Sequence, residues 1–397
     1  MSSGAAGEGA WVLGVDSGGS GLRVALGWQR ADAGASPRLV GGVTCAEPVR
    51  TNATGIDPAH LAEQLVPAVR QLLAEAEAGP QPGSGISAEA GARQGFDARQ
   101  GFGARQGFDA RQGFGARQGF GPRIAAACVG AAGMATLGDG LRAELPGLLA
   151  REFRVQRVAL AADAVTAYAG ALGEQPGAVV AAGTGMIAMG TDLTTWRRAD
   201  GWGHLLGDCG SGAWIGRAGL EAAMRAHDGR AGGSAALRAG AEAVFGTPLS
   251  GLPGRLYPRT DRPAVLASFA PEVARCAERD QVAAGILRAA GREIAASAVA
   301  VCPSGDEGLG EGPREAAAVA PVRVAFTGGL FAMGEPLTGP LRAELAERLP
   351  QARVVEAAGG PLDGALLLAG RLATGGVALP QDPALLRLSD VPATGPA

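Results

Sequence analysis

The sequence LGVDSGGSGLRVALG, at residues 13–27, gives the first indication of the fold. Both ends of this stretch have the apolar composition of β-strands, but its middle holds Asp16 and the glycines Gly18, Gly19 and Gly21. Glycine weakens a strand unless the main chain must turn sharply or a ligand must come very close to it. The stretch therefore predicts a hairpin whose tip is either a tight turn or a place where a ligand meets bare main chain.

The chain around this hairpin has the composition of a globular protein. Its 397 residues are 47% hydrophobic, which is enough for two domains with their own cores. All 35 basic residues are arginine and the net charge is −3, so the overall charge does not indicate nucleic acid or an anionic membrane as a partner. The five cysteines are scattered without a CxxC pair, no signal-peptide pattern is present, and no apolar run approaches the length of a membrane span. We therefore expect a cytoplasmic protein.

The hairpin opens an N-terminal lobe that we expect at residues 11–175, after a disordered N-terminus at 1–10. The apolar stretches at 11–16, 22–28 and 38–45, joined by short Gly-rich turns, predict three strands that form a meander. A helix capped by Asp57 follows, and Pro67 is expected to kink or split it. Buried strands within 123–134 and at 155–163, separated by a helix, predict parallel pairing on the same sheet.

Five copies of a six-residue unit, ARQGF followed by Asp or Gly, occupy residues 92–121. Such a segment buries too little apolar surface to offset its ordering entropy, so we expect a disordered insert at 79–122. One interpretation is an arginine- and phenylalanine-rich arm for nucleic acid. The other is an expanded repeat tolerated in a surface loop, because the entropy of loop closure grows slowly with length. We favour the second interpretation and expect no nucleic-acid partner.

A second glycine-tipped hairpin, GAVVAAGTGMIAMGTD at 177–192, opens a C-terminal lobe expected at 176–360. Long helical patterns follow, then the strand VRVAFTGGLF, a helix, the strand RVVEA and a final helix at 361–374. Two α/β halves that open in the same way predict a duplicated α/β fold with a cleft between the halves. The Pro-rich residues 375–397 are expected to form a loose tail.

The tips of the two hairpins are candidate phosphate-binding loops, because a tight turn with free amides and no side chains can cradle phosphate oxygens. Asp16, at the end of the first strand, could hold a divalent cation against such phosphates through water, or it could be an ordinary turn aspartate. Asp163 ends a buried strand at the start of a helix. It is either a helix N-cap or a base that accepts a hydroxyl proton at the C-terminal edge of the sheet.

The stretch GWGHLLGDCGSGAWIG at 201–216 contains more glycine than packing alone requires, and it also holds Trp202, His204, Asp208 and Ser211. Ser211 has the properties of a helix N-cap, and His204 is interpreted as a packed or surface histidine rather than a ligand. In FTGGLF at 326–331, two glycines follow a buried strand, which is consistent with close approach of the main chain to a flat purine ring.

Five motifs thus occur in order along the chain: GVDSGGS with Asp16, ALAAD ending at Asp163, AGTG at 182–185, GWGHLLGDCGSGAWIG and FTGGLF. Together they resemble the N-acetylglucosamine kinase and BadF/BcrA-type ATPase family, within the actin-like sugar kinase superfamily. The resemblance covers roughly residues 11–374 apart from the insert. It implies an α/β fold of two ribonuclease-H-like (actin-like ATPase) lobes, with ATP and Mg²⁺ in a nucleotide cleft between them. The helix at 361–374 would pack near the hinge between the lobes.

The resemblance also implies the roles of individual residues. Asp163 resembles the catalytic base, and Asp16 is the residue expected to hold Mg²⁺ through water. The implied ATP contacts are Gly18, Gly19, Ser20, Gly183, Thr184, Gly185, Gly328 and Gly329. The implied sugar contacts are Thr51, Asn52, Trp202, Gly203 and Asp208.

Three positions depart from the family pattern. Met186 stands where Ser is usual, which removes one hydroxyl contact. Cys209 stands where Glu is usual, which removes a charge beside the sugar pocket. Ser20 replaces the common Thr and keeps the hydroxyl.

These residues predict an ATP-dependent kinase that phosphorylates the 6-hydroxyl of an amino sugar. The leading substrate is N-acetylglucosamine or glucosamine, while N-acetylmuramic acid and other hexoses stay open. Two alternatives are an ATPase activator subunit with an iron–sulfur cluster and a non-catalytic sugar-sensing protein. No cysteine stands in a Gly-rich stretch with a suitable partner, and no helix-turn-helix pattern precedes Trp11, so the kinase is preferred. Homodimers are common in the family, so we expect a homodimer.

Overall fold

The structure of the chain is a computed structural model that describes residues 9–19, 21–32, 34–52, 55–78, 123–303 and 321–391. The predictions made for residues 1–8, for Ser20, for the insert at 79–122 and for residues 392–397 lie outside the described residues.

The strands of the described residues belong to two main sheets and one short two-stranded sheet. Their bounds are β1 (Gly9–Gly18), β2 (Gly21–Arg30), β3 (Arg38–Cys45), β4 (Thr51–Asn52), β5 (Gly55–Ile56), β6 (Ile124–Ala131), β7 (Arg157–Ala162), β8 (Gly177–Ala182), β9 (Met186–Thr191), β10 (Trp196–Asp200), β11 (Arg323–Thr327), β12 (Arg353–Glu356) and β13 (Leu386–Asp390).

The α-helices are α1 (Pro58–Ala78), α2 (Met134–Leu137), α3 (Asp139–Phe153), α4 (Asp163–Leu172), α5 (Gly212–His227), α6 (Ala235–Phe245), α7 (Leu252–Leu256), α8 (Arg262–Ala267), α9 (Ala270–Cys276), α10 (Gln281–Val301), α11 (Glu335–Arg348) and α12 (Pro361–Thr374). Short 3₁₀ helices occur at Leu249–Gly251 and Gly329–Met333. Within the described part of the chain, no helix combines the length and apolarity needed to cross a bilayer.

The first sheet has the strand order β13-β7-β6-β1-β2-β3. Its strands β1, β2 and β3 form the predicted antiparallel meander, and β6 pairs parallel to β1. The core side chains Val12, Leu13 and Val15 of β1 are fully buried. α1 packs on β2 and β3 and buries Leu61 and Leu65, which lie one helical turn apart.

The second sheet repeats this arrangement with the order β10-β9-β8-β11-β12. The strands β8, β9 and β10 form an antiparallel meander, and β11 lies parallel to both β8 and β12. α10 packs on this sheet and places Leu287 and Ile294 in its core. The predicted duplication of an α/β unit that opens with a glycine-tipped hairpin is therefore present in the strand order of both sheets.

The chain divides into two compact units. The first unit contains residues 1–160, 365–376 and 388–397, and the second contains residues 161–364 and 377–387. The predicted boundary at 175/176 is therefore about fifteen residues too late, because α4 belongs to the second unit. Most of α12 belongs to the first unit, and the division falls inside β7, β13 and α12.

Two local predictions are corrected by the structure. The tail expected to be loose from residue 375 contains β13, which lies beside β7 at the edge of the first sheet, and the Val391 N–H donates to the Gln156 carbonyl (2.7 Å). Main-chain pairing with a sheet edge orders this segment, and its proline content gave no sign of that. α1 runs unbroken past Pro67, so of the two expected outcomes, a kink or a split, the split is excluded. Leu65 and Val69, buried on either side of the proline, hold the helix on the sheet.

Candidate active site

The tip of the β1–β2 hairpin holds glycines that the protein itself does not need. Gly18 and Gly19 have φ angles outside the left-handed region, and a Cβ added at either would meet no described atom within 4 Å. Gly21 is different, because its φ is 117° and an added Cβ would overlap the Cys45 carbonyl oxygen. Local structure therefore explains Gly21 but leaves open space beside Gly18 and Gly19, where main chain could approach a phosphate.

Asp16 lies two residues before this tip and is almost completely buried, with 2% of its surface exposed. Its carboxylate forms an ion pair with Arg23, the residue directly opposite on β2. Burial raises the pKa of Asp16, while the charge and hydrogen bond of Arg23 act to lower it. No local sequence pattern predicts this partner, because only the strand register brings Arg23 opposite Asp16.

The described residues contain no group of three or more His, Cys, Asp or Glu side chains that could hold a metal ion. Mg²⁺ that arrives on ATP needs only one or two carboxylates besides the phosphates, and it usually keeps several waters. Asp16 is the acidic side chain that β1 carries next to the open glycines, but it is buried and paired with Arg23, so it would have to exchange that partner to meet a nucleotide-borne ion.

Asn52 lies in the first unit on the short β4–β5 sheet, where it pairs with Gly55 and is exposed. The buried His60 of α1 braces the preceding segment, because its Nδ1 accepts the Arg50 N–H (3.1 Å). The Arg50 carbonyl in turn accepts the Asp57 N–H (2.9 Å). These bonds hold the segment that leads to Asn52 against the start of α1.

The tip of the β8–β9 hairpin is bonded to the start of α5. The Gly212 N–H donates to the Gly183 carbonyl (2.9 Å) and the Ala213 N–H donates to the Thr184 carbonyl (3.1 Å). Gly183, like Gly18, has no described atom within 4 Å of an added Cβ and no left-handed φ. The second hairpin thus presents an open glycine beside a helix N-terminus, where the helix dipole favours an anion.

Ser211 is the N-cap of α5, as predicted, and its side chain accepts the Trp214 N–H (3.2 Å). Asp163 is not an N-cap, which corrects that interpretation: the cap of α4 is Ala162, and Asp163 is the first helical residue. Its Oδ1 accepts the Ala164 N–H (2.9 Å), which holds the half-buried carboxylate at the end of β7.

Asp208 connects the second hairpin tip to the GWG segment. Its Oδ1 accepts the Gly203 N–H (3.1 Å), and its Oδ2 lies where a Cβ on Gly185 would come within 2.7 Å. Burial raises the pKa of Asp208 and the Asp200 charge adds to this, while amide hydrogen bonds from Gly203 and Met186 and the nearby His204 oppose it. Gly185 therefore has to be glycine, because the Asp208 carboxylate occupies the space that a side chain would need.

Asp200 is a site residue that the sequence analysis missed. Its Oδ1 accepts the Asp208 N–H (2.6 Å) and its Oδ2 accepts the Cys209 N–H (2.8 Å). A carboxylate therefore lies beside the Cys209 main chain, and both of its oxygens accept main-chain amides. No motif signals this role, because it depends on the left-handed φ of Asp208, 53°, which turns both amides toward one carboxylate.

Trp202 is a large apolar side chain that is mostly exposed to solvent, with 63% of its surface accessible. The Arg198 guanidinium carbon lies 4.4 Å from the centre of its ring, and the same guanidinium donates to the carbonyls of Asp200 (3.1 Å) and Gly201 (2.7 Å). Leu205 and Leu206, which follow in the turn, are more than 80% exposed. The segment thus presents an aromatic ring and apolar side chains next to the Asp208 carboxylate.

Gly328 follows β11 and has a φ of 103°, and an added Cβ would overlap the Ala182 carbonyl. This contact places the end of β11 beside the end of β8, just before the second hairpin tip. Gly329 has open space around an added Cβ. Local structure explains Gly328, while Gly329 is open in the way that Gly18 and Gly183 are.

The second unit brings together several of the predicted site residues: Gly183–Gly185, Gly203, Asp208 and Gly328. The first unit contains Gly18, Gly19, Asp16 and Asn52. Open glycines beside main-chain amides suit an anionic ligand such as a nucleotide phosphate. A buried carboxylate beside an exposed aromatic ring suits a ligand that has both hydroxyl groups and an apolar face.

Comparison with known proteins supports the family resemblance. The model of the BadF/BadG/BcrA/BcrD ATPase family matches residues 13–369. An N-acetylmuramic acid/N-acetylglucosamine kinase of Clostridium acetobutylicum is 32% identical over 107 residues. That match covers 27% of this chain and 34% of the relative, so the chain spans about a third of the length of the curated relative it matches.

Two crystal structures support the fold. A proposed N-acetylglucosamine kinase from Chromobacterium violaceum has a TM-score of 0.57 at 25% identity, over 91% of this chain and 99% of that chain. A proposed N-acetylglucosamine kinase from Porphyromonas gingivalis has a TM-score of 0.55 at 15% identity, over 92% and 99% of the two chains, and shows the fold alone. The predicted α/β fold of two actin-like lobes is confirmed.

Proposed function

The chain belongs to the BadF/BadG/BcrA/BcrD ATPase family, and on this premise we propose that it is an ATP-dependent kinase that phosphorylates the 6-hydroxyl of an amino sugar. N-acetylglucosamine is the leading substrate, because the relatives that resemble the chain are described by that activity. Glucosamine and N-acetylmuramic acid are the other candidates.

One observation carries the proposal. Gly18, Gly19 and Gly183 are glycines at hairpin tips for which neither packing nor backbone conformation gives a reason. A phosphate chain needs bare amides at van der Waals distance, and any side chain there would block it. The open space at these tips is therefore accounted for if each tip binds phosphates of ATP.

The residues have distinct roles in the proposed reaction. The hairpin tips hold the phosphates, Asp16 faces the Mg²⁺ that ATP carries, and Gly329 lies against the adenosine. Asn52, Trp202, Gly203 and Asp208 bind the sugar. Mg²⁺ neutralises charge that develops on the phosphates during transfer.

Asp163 acts on the acceptor. Its carboxylate orients the 6-hydroxyl and takes the hydroxyl proton as the oxygen–phosphorus bond forms and the bond to the ADP oxygen breaks. The Ala164 amide bond to Oδ1 keeps the carboxylate in one orientation. Asp163→Asn should abolish transfer while ATP still binds; retained turnover would show that another group is the base.

The test compares two glycine substitutions that are equally well tolerated in folding. Gly183→Ala places a methyl group in the open space at a hairpin tip, and Gly254→Ala places one in open space on α7. Both should fold with the wild-type melting temperature. Only Gly183→Ala should raise the KM for ATP, by about ten-fold or more, in an ADP-release assay with N-acetylglucosamine, glucosamine and N-acetylmuramic acid. Equal kinetics of the two variants would contradict a phosphate site at this tip.

A further inference from the structure

The loop at residues 200–209 is closed by hydrogen bonds from main-chain amides to the carboxylates of two aspartates. Asp200 accepts the amides of Asp208 and Cys209 at one end, and Asp208 accepts the Gly203 amide within the loop. The loop is held before any ligand is present, because each of these bonds lies within the protein.

Both aspartates have left-handed backbone conformations, with φ of 60° at Asp200 and 53° at Asp208. Such conformations cost free energy in residues other than glycine and persist where surrounding bonds determine them. Here the surrounding bonds are the two amide contacts of the Asp200 carboxylate and the two carbonyl contacts of Arg198. Strained backbone conformations that are held in this way are common at binding sites.

We propose that Asp200 is a positioning residue for the acceptor: its carboxylate fixes the loop so that Asp208 and Trp202 face the sugar before the sugar binds. This inference rests on the proposed function. Without Asp200, the sugar would have to order the loop, and the cost would appear as weaker binding. Asp200 itself need not touch the sugar, because its two oxygens are used by main-chain amides.

Two variants separate the carboxylate from the backbone strain. Asp200→Asn keeps the shape but turns one acceptor into an NH₂ group, which cannot accept a second amide. Asp200→Gly removes the carboxylate and at the same time relieves the left-handed strain at φ 60°. If the carboxylate is what matters, both variants should be impaired to a similar extent.

Asp192 provides a matched control. Its Oδ1 accepts the amides of Thr194 (2.8 Å) and Thr195 (2.9 Å) in the β9–β10 turn, at the other end of that hairpin from Asp200. Asp192→Asn therefore removes the charge of an aspartate that binds main-chain amides in the same hairpin, keeps an oxygen that can accept those amides, and leaves the loop at 200–209 intact.

The experiment measures steady-state kinetics for each sugar and hydrogen exchange of the ligand-free protein over residues 200–212. Asp200→Asn and Asp200→Gly should raise the KM for the sugar by about ten-fold or more, with a smaller change in kcat and an unchanged KM for ATP. Exchange in this segment should increase in the absence of ligand. Asp192→Asn should change neither quantity.

The outcomes distinguish this inference from the proposed function. A wild-type chain that phosphorylates none of the sugars refutes the proposed function and, with it, the positioning role. An active wild type whose Asp200 variants keep the sugar KM refutes the positioning role alone, even if exchange increases, because the bonds would then be merely structural. Recovery of the wild-type KM in Asp200→Gly would show that strain, and not the carboxylate, determines binding.

Discussion

At the scale of a single residue, the backbone conformation of Asp208 determines the surroundings of its own carboxylate and therefore affects its pKa. Its left-handed backbone lets its own amide reach Asp200 while its carboxylate turns back to the Gly203 amide. Aspartate tolerates this conformation better than most residues. The same arrangement buries the carboxylate and brings a second negative charge near it, which together raise its pKa.

The raised pKa predicts how sugar phosphorylation depends on pH. Ionised Asp208 accepts hydrogen bonds from sugar hydroxyls, and protonation removes that capacity. Burial raises the pKa of Asp208 and the Asp200 charge adds to this, and together they outweigh the opposing effects of the Gly203 and Met186 amides and His204. We therefore expect kcat/KM for the sugar to begin to fall at a higher pH than it would for an exposed aspartate. Asp208→Asn should be slow and lack this acid limb.

A pH profile of kcat/KM from pH 4 to 8 checks this expectation. Asp192→Asn serves as the control, because hydrogen bonds from the Thr194 side chain and nearby amides lower the pKa of Asp192 to about 2, below the measured range. Its profile should match the wild type. An acid limb that persists unchanged in Asp208→Asn would assign the titration to another group.

Arg23→Met tests the ion pair beneath the first hairpin tip. It leaves the Asp16 carboxylate buried without its cation, so the pKa of Asp16 should rise further. A carboxyl with a raised folded-state pKa contributes stability that is present below the unfolded pKa of about 3.8 and lost as the pH rises through the folded value. Arg23→Met should therefore match the wild type near pH 3.5 and be less stable at pH 8.

Urea unfolding at the two pH values measures the difference. We expect a loss of about 1–2 kcal/mol at pH 8, less than for a fully buried pair, because 41% of the Arg23 side chain is exposed. Arg259→Met, which breaks the exposed pair with Asp261, should leave the free energy of unfolding unchanged at both pH values, because solvent screens that pair. A loss of equal size at both pH values would show that Arg23 acts through packing instead of charge.

At the scale of secondary-structure elements, glycines set how closely α4 and α12 pack. A Cβ added at Gly364 would overlap the Thr166 carbonyl, and one added at Gly170 would overlap the Gly360 carbonyl. Each helix thus contributes a glycine at which the main chain of the other segment is in direct contact.

Gly364→Ala should destabilise the protein by about 1–3 kcal/mol, because the methyl group can be accommodated only if main chain moves. Gly285→Ala in α10 is the matched control: an added Cβ there meets only a terminal nitrogen of Arg288, at 3.8 Å, and alanine is the better helix former. It should stabilise by up to about 1 kcal/mol. Urea unfolding of both variants distinguishes the close contact from a general effect of alanine; equal effects would contradict it.

The elements also show what the sequence could predict. The two hairpins, the meander of β1, β2 and β3 and the cap at Ser211 follow from local patterns of apolar residues, glycine and capping side chains, and the structure confirms them. β13 was missed because its order comes from pairing with β7, far away in the sequence. Asp200 and Arg23 were missed for the same reason: a strand register or a backbone angle, and no local motif, gives each its partner.

At the scale of the whole molecule, each unit is built on the same plan. A meander of three antiparallel strands is extended by parallel strands on the side of its first strand, and the first hairpin of each meander ends in glycines. In each unit the tip holds at least one glycine with open space beside it, Gly18 and Gly19 in one and Gly183 in the other. The two tips therefore share a feature that the contacts of the described residues do not explain.

The repeat at residues 92–121 lies outside the described residues, and its removal tests whether it contributes to stability or to activity. α1 ends at Ala78 and β6 begins at Ile124, and both belong to the first unit. Deleting the thirty repeat residues shortens the connection at 79–122 from 44 residues to 14. Because closure entropy varies with the logarithm of length, the shorter chain should gain about 1 kcal/mol of stability. Kinetic constants for ATP and sugar should not change.

A control that replaces the repeat with thirty Gly and Ser residues should restore the wild-type stability, because length alone sets the entropy of loop closure. A deletion that lowers the melting temperature, or changes either KM, would show that the repeat contributes contacts to the folded protein.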